Sequence, residues 1–321
     1  MYDERRLIQL PYAKTKDILS KAHNEGYGVG AFNVNDLEFI QAIVKAAVME
    51  NSPAIIEASE GALKYAGDGD VEKGAFILAD MVRRYADAVS VPISLHLDHG
   101  HDLKHIMAAI KAGFTSVMID ASDKPLEENI RITRQIVEVA HAAGVAVEAE
   151  LGRLMGIEDN VASAESVLVD PDEAKRFVTE TQVDFLAPAV GTSHGAFKFK
   201  GEAKIDYERI SKVKELTQLP LVLHGASGVP AQWVELAEKY GADLSGAKGV
   251  PDEVLQEAVK RGINKVNTDT DLRIAFLAGL RKHLAENPKE FDPRKYFGEA
   301  KDFVTEVVRD RMKMLGSSGK A

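Results

Sequence analysis

Three histidines that are each followed at once by glycine lie far apart in the chain, at the ends of apolar runs. They are His99, His194 and His224. An apolar run that ends in polar residues and glycine is typical of a buried strand that enters a turn. Imidazoles from separate elements, in a chain without cysteine, suit Zn²⁺ or a similar divalent cation. One such histidine would more often be a core residue or a general base, but three His-Gly pairs favour a metal site with an open position.

Carboxylates accompany these histidines. Asp98 directly precedes the first of them, and because neighbouring residues of a strand point in opposite directions, we expect Asp98 to reach a substrate instead of the metal. Asp120 and Glu150 lie at the ends of two further apolar runs. Either could be a structural partner or an extra metal ligand. Glu158 lies in the long polar segment Gly152–Val167, which we interpret as a lid whose carboxylate is a general acid or base or is simply solvated.

The other histidines near the first ligand have weaker signals. His96 shares the inward direction of Asp98 and is a candidate second-layer group around the metal. His101 and His105 are four residues apart, as in many metal sites, but we expect them on the helix side of the turn, away from the cavity.

Eight short apolar runs alternate with segments of helical periodicity. The runs are Gly28–Val34, Pro53–Ser59, Val91–His99, Ser116–Ala121, Val145–Leu151, Phe185–Val190, Leu221–Ser227 and Ile263–Thr268. Strands that are apolar throughout and alternate with helices indicate a parallel sheet covered on both faces. A count of eight favours a closed (β/α)₈ TIM barrel over an open, doubly wound sheet. All the polar strand ends would then meet at one face of the barrel.

The C-terminal part of the chain exceeds what a barrel needs. We predict a barrel domain over residues 1–286 and a helical extension over 287–321 that packs on the barrel or on a neighbouring subunit. A helix over Asp271–Glu286 should end at Asn287-Pro288, and a second should span Phe303–Met314. The last residues, 317–321, are expected to fray.

The loops that close strands seven and eight have the composition of an anion site. In barrels a phosphate is usually held there by backbone amides and hydroxyls. The segments are 224–228, with Gly225 and Ser227, and 267–270. Lys198 could supply positive charge, and Asp269 would orient Lys198 or the backbone.

Composition excludes several other classes of function. The 321 residues have a net charge of −10, which argues against a nucleic-acid partner. No apolar run is long enough to span a membrane. The charged first six residues do not resemble a signal peptide, and the chain lacks cysteine, so we expect a cytoplasmic protein.

Six short motifs, in order along nearly the whole chain, resemble the class II metal-dependent fructose-1,6-bisphosphate aldolases. They are Gly30-Ala31-Phe32-Asn33-Val34-Asn35, Leu95-His96-Leu97-Asp98-His99-Gly100, Glu148-Ala149-Glu150-Leu151-Gly152, Gly191-Thr192-Ser193-His194-Gly195, Leu223-His224-Gly225-Ala226-Ser227-Gly228 and Asn267-Thr268-Asp269-Thr270-Asp271-Leu272-Arg273. The last motif looks like the fructose branch more than the related tagatose-bisphosphate aldolases. The family lid usually carries Gly-Gly before its acidic pair, whereas this chain has Met155-Gly156-Ile157-Glu158-Asp159.

The resemblance implies a role for each matching residue. The metal ligands would be His99, His194 and His224, with Asp120 and Glu150 binding metal in an alternative or second position. Asp98 would handle the C4 hydroxyl proton, and Glu158 the proton on the dihydroxyacetone phosphate carbon. One phosphate would be bound by Gly195, Lys198, Gly225, Ser227, Asp269 and Thr270, the triose by Asn267, and the second phosphate by Ser59 and by Arg273 of an adjacent subunit.

The resemblance also implies cofactors and partners. Zn²⁺, Co²⁺ or another divalent metal would be the main cofactor, beside a monovalent cation such as Na⁺, K⁺ or NH₄⁺. The substrates would be fructose 1,6-bisphosphate and the triose phosphates of glycolysis and gluconeogenesis, and the assembly a homodimer or homotetramer. Three alternatives stay open: a metal-dependent hydrolase, an inactive sugar-phosphate-binding barrel, and a Schiff-base aldolase using Lys265, the one lysine within a predicted strand.

Overall fold

A computed structural model describes residues 12–153, 155–158, 161–163, 167–194 and 205–321, with the backbone alone at 155–158, 161–163 and His194. Eight parallel strands close into a barrel, which confirms the predicted (β/α)₈ architecture. They are β1 (Val29–Asn33), β2 (Ala54–Ser59), β3 (Ile93–Gly100), β4 (Ser116–Ile119), β5 (Ala146–Leu151), β8 (Phe185–Pro188), β10 (Leu221–Leu223) and β11 (Ile263–Thr268). Each strand pairs with its neighbour in chain order, and β11 pairs with β1 to close the ring.

The helices cover the outside of the barrel and one of its ends. They are α1 (Thr15–Glu25), α2 (Leu37–Glu50), α3 (Glu60–Ala66), α4 (Val71–Ala86), α5 (Leu103–Ala112), α6 (Leu126–Ala142), α7 (Pro171–Thr181), α8 (Tyr207–Thr217), α9 (Ala231–Lys239), α10 (Asp252–Arg261), α11 (Thr270–Glu286) and α12 (Pro293–Leu315). Several begin at a side-chain cap, as at Asp36, whose carboxylate accepts from Phe39 N–H. None of the helices within the described ranges is long and apolar enough to cross a membrane.

Helix α1 closes the N-terminal end of the barrel. Its Ile18, Leu19 and Ala22 share a buried apolar cluster with residues at the starts of the barrel strands, among them Ile55 and Phe185. Higher inside the barrel the same inward positions become charged. The interior therefore changes from apolar at the closed end to ionisable beneath the C-terminal ends of the strands.

A small second sheet lies in the segment that we interpreted as a lid loop. It contains β6 (Met155–Glu158), β7 (Val161–Ser163) and β9 (Ser193–His194), with β6 between the other two. Gly156 is the register partner of His194. The prediction of a plain loop is therefore wrong here, since strand pairing connects the backbone that carries Glu158 to the backbone that carries His194.

The C-terminal helix is longer than predicted. It begins at Pro293 and not at Phe303, because Asp292 caps its first turn and proline is favoured at that position. Its buried face belongs to the same apolar core as the barrel and packs on α2 and α11. The expected fraying of 317–321 is also wrong: Gly319 N–H donates to Glu50 O, and Ala321 N–H donates to Asn51 O.

Candidate active site

The C-terminal ends of the barrel strands bring seven of the predicted residues close together. The buried cavity there is bordered by Asp98, His99, His224, Gly225, Ser227, Asn267 and Asp269. Two further predicted carboxylates contact its histidines: His99 Nδ1 is 2.9 Å from Asp120 Oδ2, and His224 Nδ1 is 2.9 Å from Glu150 Oε2. The barrel therefore brings Asp98 and Asn267, which are 169 positions apart in the sequence, into direct hydrogen-bond contact.

An irregularity at the end of β3 turns His99 toward this cavity. His99 has a φ of +46°, which is rare for any residue but glycine. The register with β4 shifts between Leu97 and Gly100, as at a bulge. Asp98 and His99 consequently border the same cavity, with His99 Nε2 3.9 Å from Asp98 Oδ1. The expectation that these two side chains point in opposite directions is therefore wrong.

Gly100 makes this backbone course possible. A Cβ atom at that position would lie 2.6 Å from Met118 O, too close for any side chain. The glycine after the first histidine thus allows β3 to approach β4 closely while the strand bends.

His224 lies between two buried glutamates. Its Nε2 is 2.8 Å from Glu148 Oε1, and its Nδ1 contacts Glu150. Burial alone would lower the pKa of His224, but the hydrogen bonds to both carboxylates outweigh burial and raise the pKa well above its usual range. Sequence reasoning assigned no role to Glu148, although the alternation Glu148-Ala149-Glu150 points both carboxylates into the barrel.

His99 and Asp120 form a second coupled pair. Burial opposes the charge of His99, but Asp98 and the hydrogen bond to Asp120 raise its pKa to about 9. Burial likewise opposes the charge of Asp120, and the hydrogen bond from His99 reverses this and lowers the pKa of Asp120. Ser122 N–H and Oγ–H also donate to Asp120.

Two amides hold the Asp98 carboxylate. Asn33 Nδ2 donates to Oδ2 and Asn267 Nδ2 donates to Oδ1, each at 3.1 Å. Burial would raise the pKa of Asp98, but the positive charge of His99 and of Lys265 lowers it to about 2. Asp98 is therefore an ionised and oriented carboxylate at neutral pH. Asn33 was not among the predicted site residues; its place at the end of β1 is the signal that could have identified it.

The donor set of the cavity fits a divalent metal ion. Asp98, His99 and His224 each offer a ligand atom, and these atoms lie within 4.8 Å of one another. His99, Asp120 and Glu150 form a second such group, which overlaps the first. Imidazole nitrogens with carboxylates behind them are ligands that Zn²⁺ and related ions accept. Both ring nitrogens of His224 contact glutamates, so metal binding by His224 requires that one of these contacts be exchanged.

A layer of buried charge lies beneath the cavity. Lys265 Nζ is 3.1 Å from Glu57 Oε2 and 3.0 Å from Glu148 Oε2. Burial opposes the charge of Lys265, but the two carboxylates outweigh it and raise its pKa. His96 Nε2 is 3.5 Å from Glu148, and burial lowers the pKa of His96 to about 3. His96 is thus a neutral side chain in this layer, in contact with the glutamate that also contacts His224.

Four of the six residues predicted to bind the first phosphate lie in the loops after β10 and β11, and the other two, Gly195 and Lys198, lie outside the described residues. Ser227 Oγ accepts from Asp269 N–H at 3.3 Å, and Asp269 Oδ1 is 2.7 Å from Arg273 Nε. Asp269 thus has Arg273 as a partner, whereas its expected contact with Lys198 falls outside the described residues. Thr270 begins α11 beside them, and Gly225 has a φ of +59° and packs so closely on Ser193 that a Cβ would be 2.5 Å from its carbonyl oxygen.

Ser59 is not among the residues that border the cavity. Ser59 caps α3 by accepting from Ala62 N–H. Gly195, Lys198 and the side chains of Glu158 and His194 lie outside the described residues.

His101 and His105 belong to a separate contact with Glu60. His105 Nδ1 is 3.0 Å from Glu60 Oε2, and Glu60 Oε1 accepts from His101 N–H. Neither histidine joins a metal-like group among the side chains that the structure describes, but His101 Nδ1 lies 3.3 Å from the carbonyl oxygen of Asp120.

Comparison with known proteins agrees with this geometry. The family model "Fructose-bisphosphate aldolase class-II" matches residues 13–320. A fructose-bisphosphate aldolase of Helicobacter pylori strain J99 is 56% identical over 96% of this chain and 99% of its own length. One from Thermus caldophilus is 50% identical over 95% and 98%.

Solved structures give the same result at lower sequence identity. The YdjI aldolase of Escherichia coli K12 superposes with a TM-score of 0.77 at 30% identity, covering 97% of this chain and 99% of its own. A putative fructose-1,6-biphosphate aldolase of Coccidioides immitis gives 0.78 at 32%, covering 96% and 97%. The resemblance that the six motifs indicate is therefore confirmed, and the chain belongs to the class-II fructose-bisphosphate aldolase family.

Proposed function

We propose that this protein reversibly cleaves fructose 1,6-bisphosphate to dihydroxyacetone phosphate and glyceraldehyde 3-phosphate at the cavity around Asp98. Family membership over nearly the whole chain supports the reaction. The observation that carries the proposal is the ionised Asp98, held by two amides beside the imidazoles of His99 and His224. This arrangement provides a proton acceptor and a set of metal ligands in one buried place.

The proposed metal ligands are His99 and His224 together with His194, the last by resemblance. Zn²⁺ or Co²⁺ would supply Lewis acidity that stabilises the negative charge developing as the carbon–carbon bond breaks. Asp120 and Glu150 would orient the two imidazoles or bind the metal in a second position, which their contacts with His99 and His224 support.

Asp98 is the proposed acceptor of the C4 hydroxyl proton. As the C3–C4 bond breaks, that hydroxyl becomes the conjugate acid of an aldehyde, which is a far stronger acid than a carboxylic acid. A carboxylate can therefore accept its proton even when its own pKa lies below the ordinary value of an aspartate. The amides of Asn33 and Asn267 keep both carboxylate oxygens in a fixed orientation before the substrate binds.

Glu158 is the proposed group that exchanges a proton with the dihydroxyacetone phosphate carbon. Its support is the pairing of β6 with β9, which connects the strand that carries Glu158 to the strand that carries His194.

Phosphate binding is proposed at the loops after β10 and β11. Gly225, Ser227, Asp269 and Thr270, with Gly195 and Lys198, would bind one phosphate, and Asn267 would hold the triose. Ser59 and Arg273 would serve the second phosphate, with Arg273 acting across a homodimer or homotetramer interface. A monovalent cation, Na⁺, K⁺ or NH₄⁺, is proposed close to the first phosphate. The proposal further includes a cytoplasmic role in glycolysis or gluconeogenesis without nucleic-acid or membrane partners.

The buried layer weighs against a Schiff-base mechanism. A lysine attacks a carbonyl only as the neutral amine, whereas the contacts of Lys265 with Glu57 and Glu148 keep it protonated. A related reaction on tagatose 1,6-bisphosphate remains the alternative substrate assignment.

Metal removal and substrate comparison test the proposal together. Chelator-treated protein should lose cleavage activity, and Zn²⁺ or Co²⁺ should restore it, as measured by a coupled assay for glyceraldehyde 3-phosphate. Fructose 1,6-bisphosphate should be cleaved faster than tagatose 1,6-bisphosphate. Full activity in protein shown by metal analysis to be metal-free would contradict the proposal.

A further inference from the structure

A chain of ionic contacts connects the C-terminal helix to the loop after β10. Arg311 lies on α12, and its side chain is only 5% exposed. Its Nε is 3.1 Å from Asp271 Oδ2, and its Nη1 donates to Asp252 at 2.7 Å. The fully buried Asp271 carboxylate in turn accepts from Gly228 N–H at 3.1 Å and from Val229 N–H at 2.6 Å.

The loop has a backbone conformation that depends on such contacts. Val229 has a φ of +47°, which is unfavourable for a β-branched residue and persists only where surrounding contacts enforce it. The hydrogen bond from Val229 N–H to Asp271 is one such contact. The guanidinium of Arg311 also packs on the loop itself, because a Cβ at Gly228 would lie 2.2 Å from its Nη2.

The other end of this loop borders the active-site cavity. Ser227 directly precedes Gly228, lines the cavity with Asp98 and His224, and accepts from Asp269 N–H. Ser227 is thus the immediate neighbour of the two loop residues whose N–H groups donate to the Asp271 carboxylate.

We infer that Arg311 is a positioning residue for the phosphate-binding loop 225–229. It acts through Asp271: the guanidinium compensates the buried carboxylate, and the carboxylate holds two loop N–H groups. The inference rests on the phosphate role proposed above for Gly225 and Ser227. A residue on a helix beyond the barrel would thus set the affinity for phosphate, while Asp98 remains held by its own amides.

The test compares two arginines of α12 that lie on different faces of the helix. Arg309 also anchors α12, with its Nε 2.8 Å from Glu50 on α2, but among the described residues no hydrogen bond or ion pair joins it to the loop 225–229. Arg311→Met, Arg311→Lys and the control Arg309→Met would be assayed for KM and kcat with fructose 1,6-bisphosphate, and for competitive inhibition by inorganic phosphate. Thermal midpoints would report the general loss of helix anchoring.

We expect Arg311→Met to raise KM and the inhibition constant of phosphate by about tenfold, with kcat changed much less, because a hydrogen bond to a charged group is lost. Arg311→Lys should restore part of the phosphate affinity, since it keeps the positive charge. Arg309→Met should lower the thermal midpoint but leave both constants near the wild-type values.

Equal constants for Arg311→Met and Arg309→Met would overturn the inference and reduce Arg311 to a helix anchor. If Arg311→Met does not fold, Arg311→Lys decides by the same comparison. Ser227→Ala distinguishes a failure of the proposed phosphate site from a failure of the inference about Arg311. Unchanged constants in Ser227→Ala would refute the proposed phosphate site and the inference with it, whereas raised constants there and wild-type values in both Arg311 variants would refute the inference alone.

Discussion

Asp98 occupies a position whose chemistry depends on a few contacts. Its carboxylate accepts from Asn33 and Asn267 and is flanked by His99. Sequence reasoning identified Asp98 and the histidines, since strand ends rich in ionisable groups are conspicuous. It could not predict that Asp98 and His99 face the same way, because this depends on a positive φ that L-residues rarely adopt.

Replacing Asp98 tests its role without emptying the site. Asp98→Asn keeps the shape of the side chain but removes its ability to accept a proton, so we expect turnover to fall by about 10²- to 10⁴-fold. Metal content, measured by elemental analysis, should stay near that of the wild type if the imidazoles carry most of the affinity. An unchanged kcat would remove Asp98 from the proposed role.

Lys265 tests the buried charge layer. Lys265→Met leaves the carboxylates of Glu57 and Glu148 without their shared cation, so we expect a loss of about 3–5 kcal/mol in the free energy of unfolding. Urea denaturation measures the loss. The double variant Lys265→Met/Glu148→Gln should recover part of it, because the pKa of Glu148 is lowered and that of Glu57 is raised to about 8, so Glu148 carries the charge that Lys265 compensates. A double variant no more stable than the single one would contradict this explanation.

At the scale of elements, the sequence predicts the strands, whose burial gives a visible apolar pattern, better than the elements that depend on distant contacts. The eight barrel strands are apolar on at least one face and were predicted from that pattern. Helix α1 was missed although Ile18, Leu19 and Ala22 have helical spacing, because sequence alone does not show that an open barrel end needs covering. The hairpin of β6 and β7 was missed because its pairing with β9 involves residues more than 30 positions away.

Helix ends offer a test that is independent of the active site. Gln182 ends α7 with a φ of +60°, a conformation that costs roughly 1–2 kcal/mol for an L-residue. Gln182→Gly should therefore stabilise the protein by about 0.5–1 kcal/mol after the loss of its side-chain hydrogen bond to Thr179 O. Gln135→Gly in the interior of α6 is the matched control and should cost about 1 kcal/mol. Thermal midpoints of both variants should move in opposite directions; a shift in the same direction would contradict the capping argument.

At the scale of the whole molecule, Asp184 joins three parts of the closed end of the barrel. Its carboxylate accepts from Val147 N–H of β5 and contacts Lys16 of α1 and His141 of α6. Burial would raise the pKa of Asp184, but the hydrogen bonds from Lys16, Val147 and His141 lower it below the ordinary 3.8. The stabilisation from Asp184 is therefore fully present above pH 3.8 and is lost as the pH falls toward the lower pKa of the folded state.

The corresponding variant has a pH signature. Asp184→Asn should be less stable than the wild type at pH 6, and the difference in thermal midpoint should shrink as the pH falls below about 4, the ordinary range of an aspartate. Asp80→Asn, which removes only an exposed pair with Arg84, is the control and should change stability by less than about 0.5 kcal/mol. A pH-independent difference for Asp184→Asn would show that its charge is not the cause.

Because α1 closes one end of the barrel, it limits how the range of substrates could change. Because Ile18, Leu19 and Ala22 fill the N-terminal end of the barrel, substrates and products must enter and leave at the C-terminal end of the strands. A longer sugar cannot bind deeper in the barrel, because Lys265, Glu57 and Glu148 fill the interior beneath Asp98. Selectivity for the chain length of the substrate must therefore depend on the segments at the C-terminal end of the barrel, among them β6, β7 and β9.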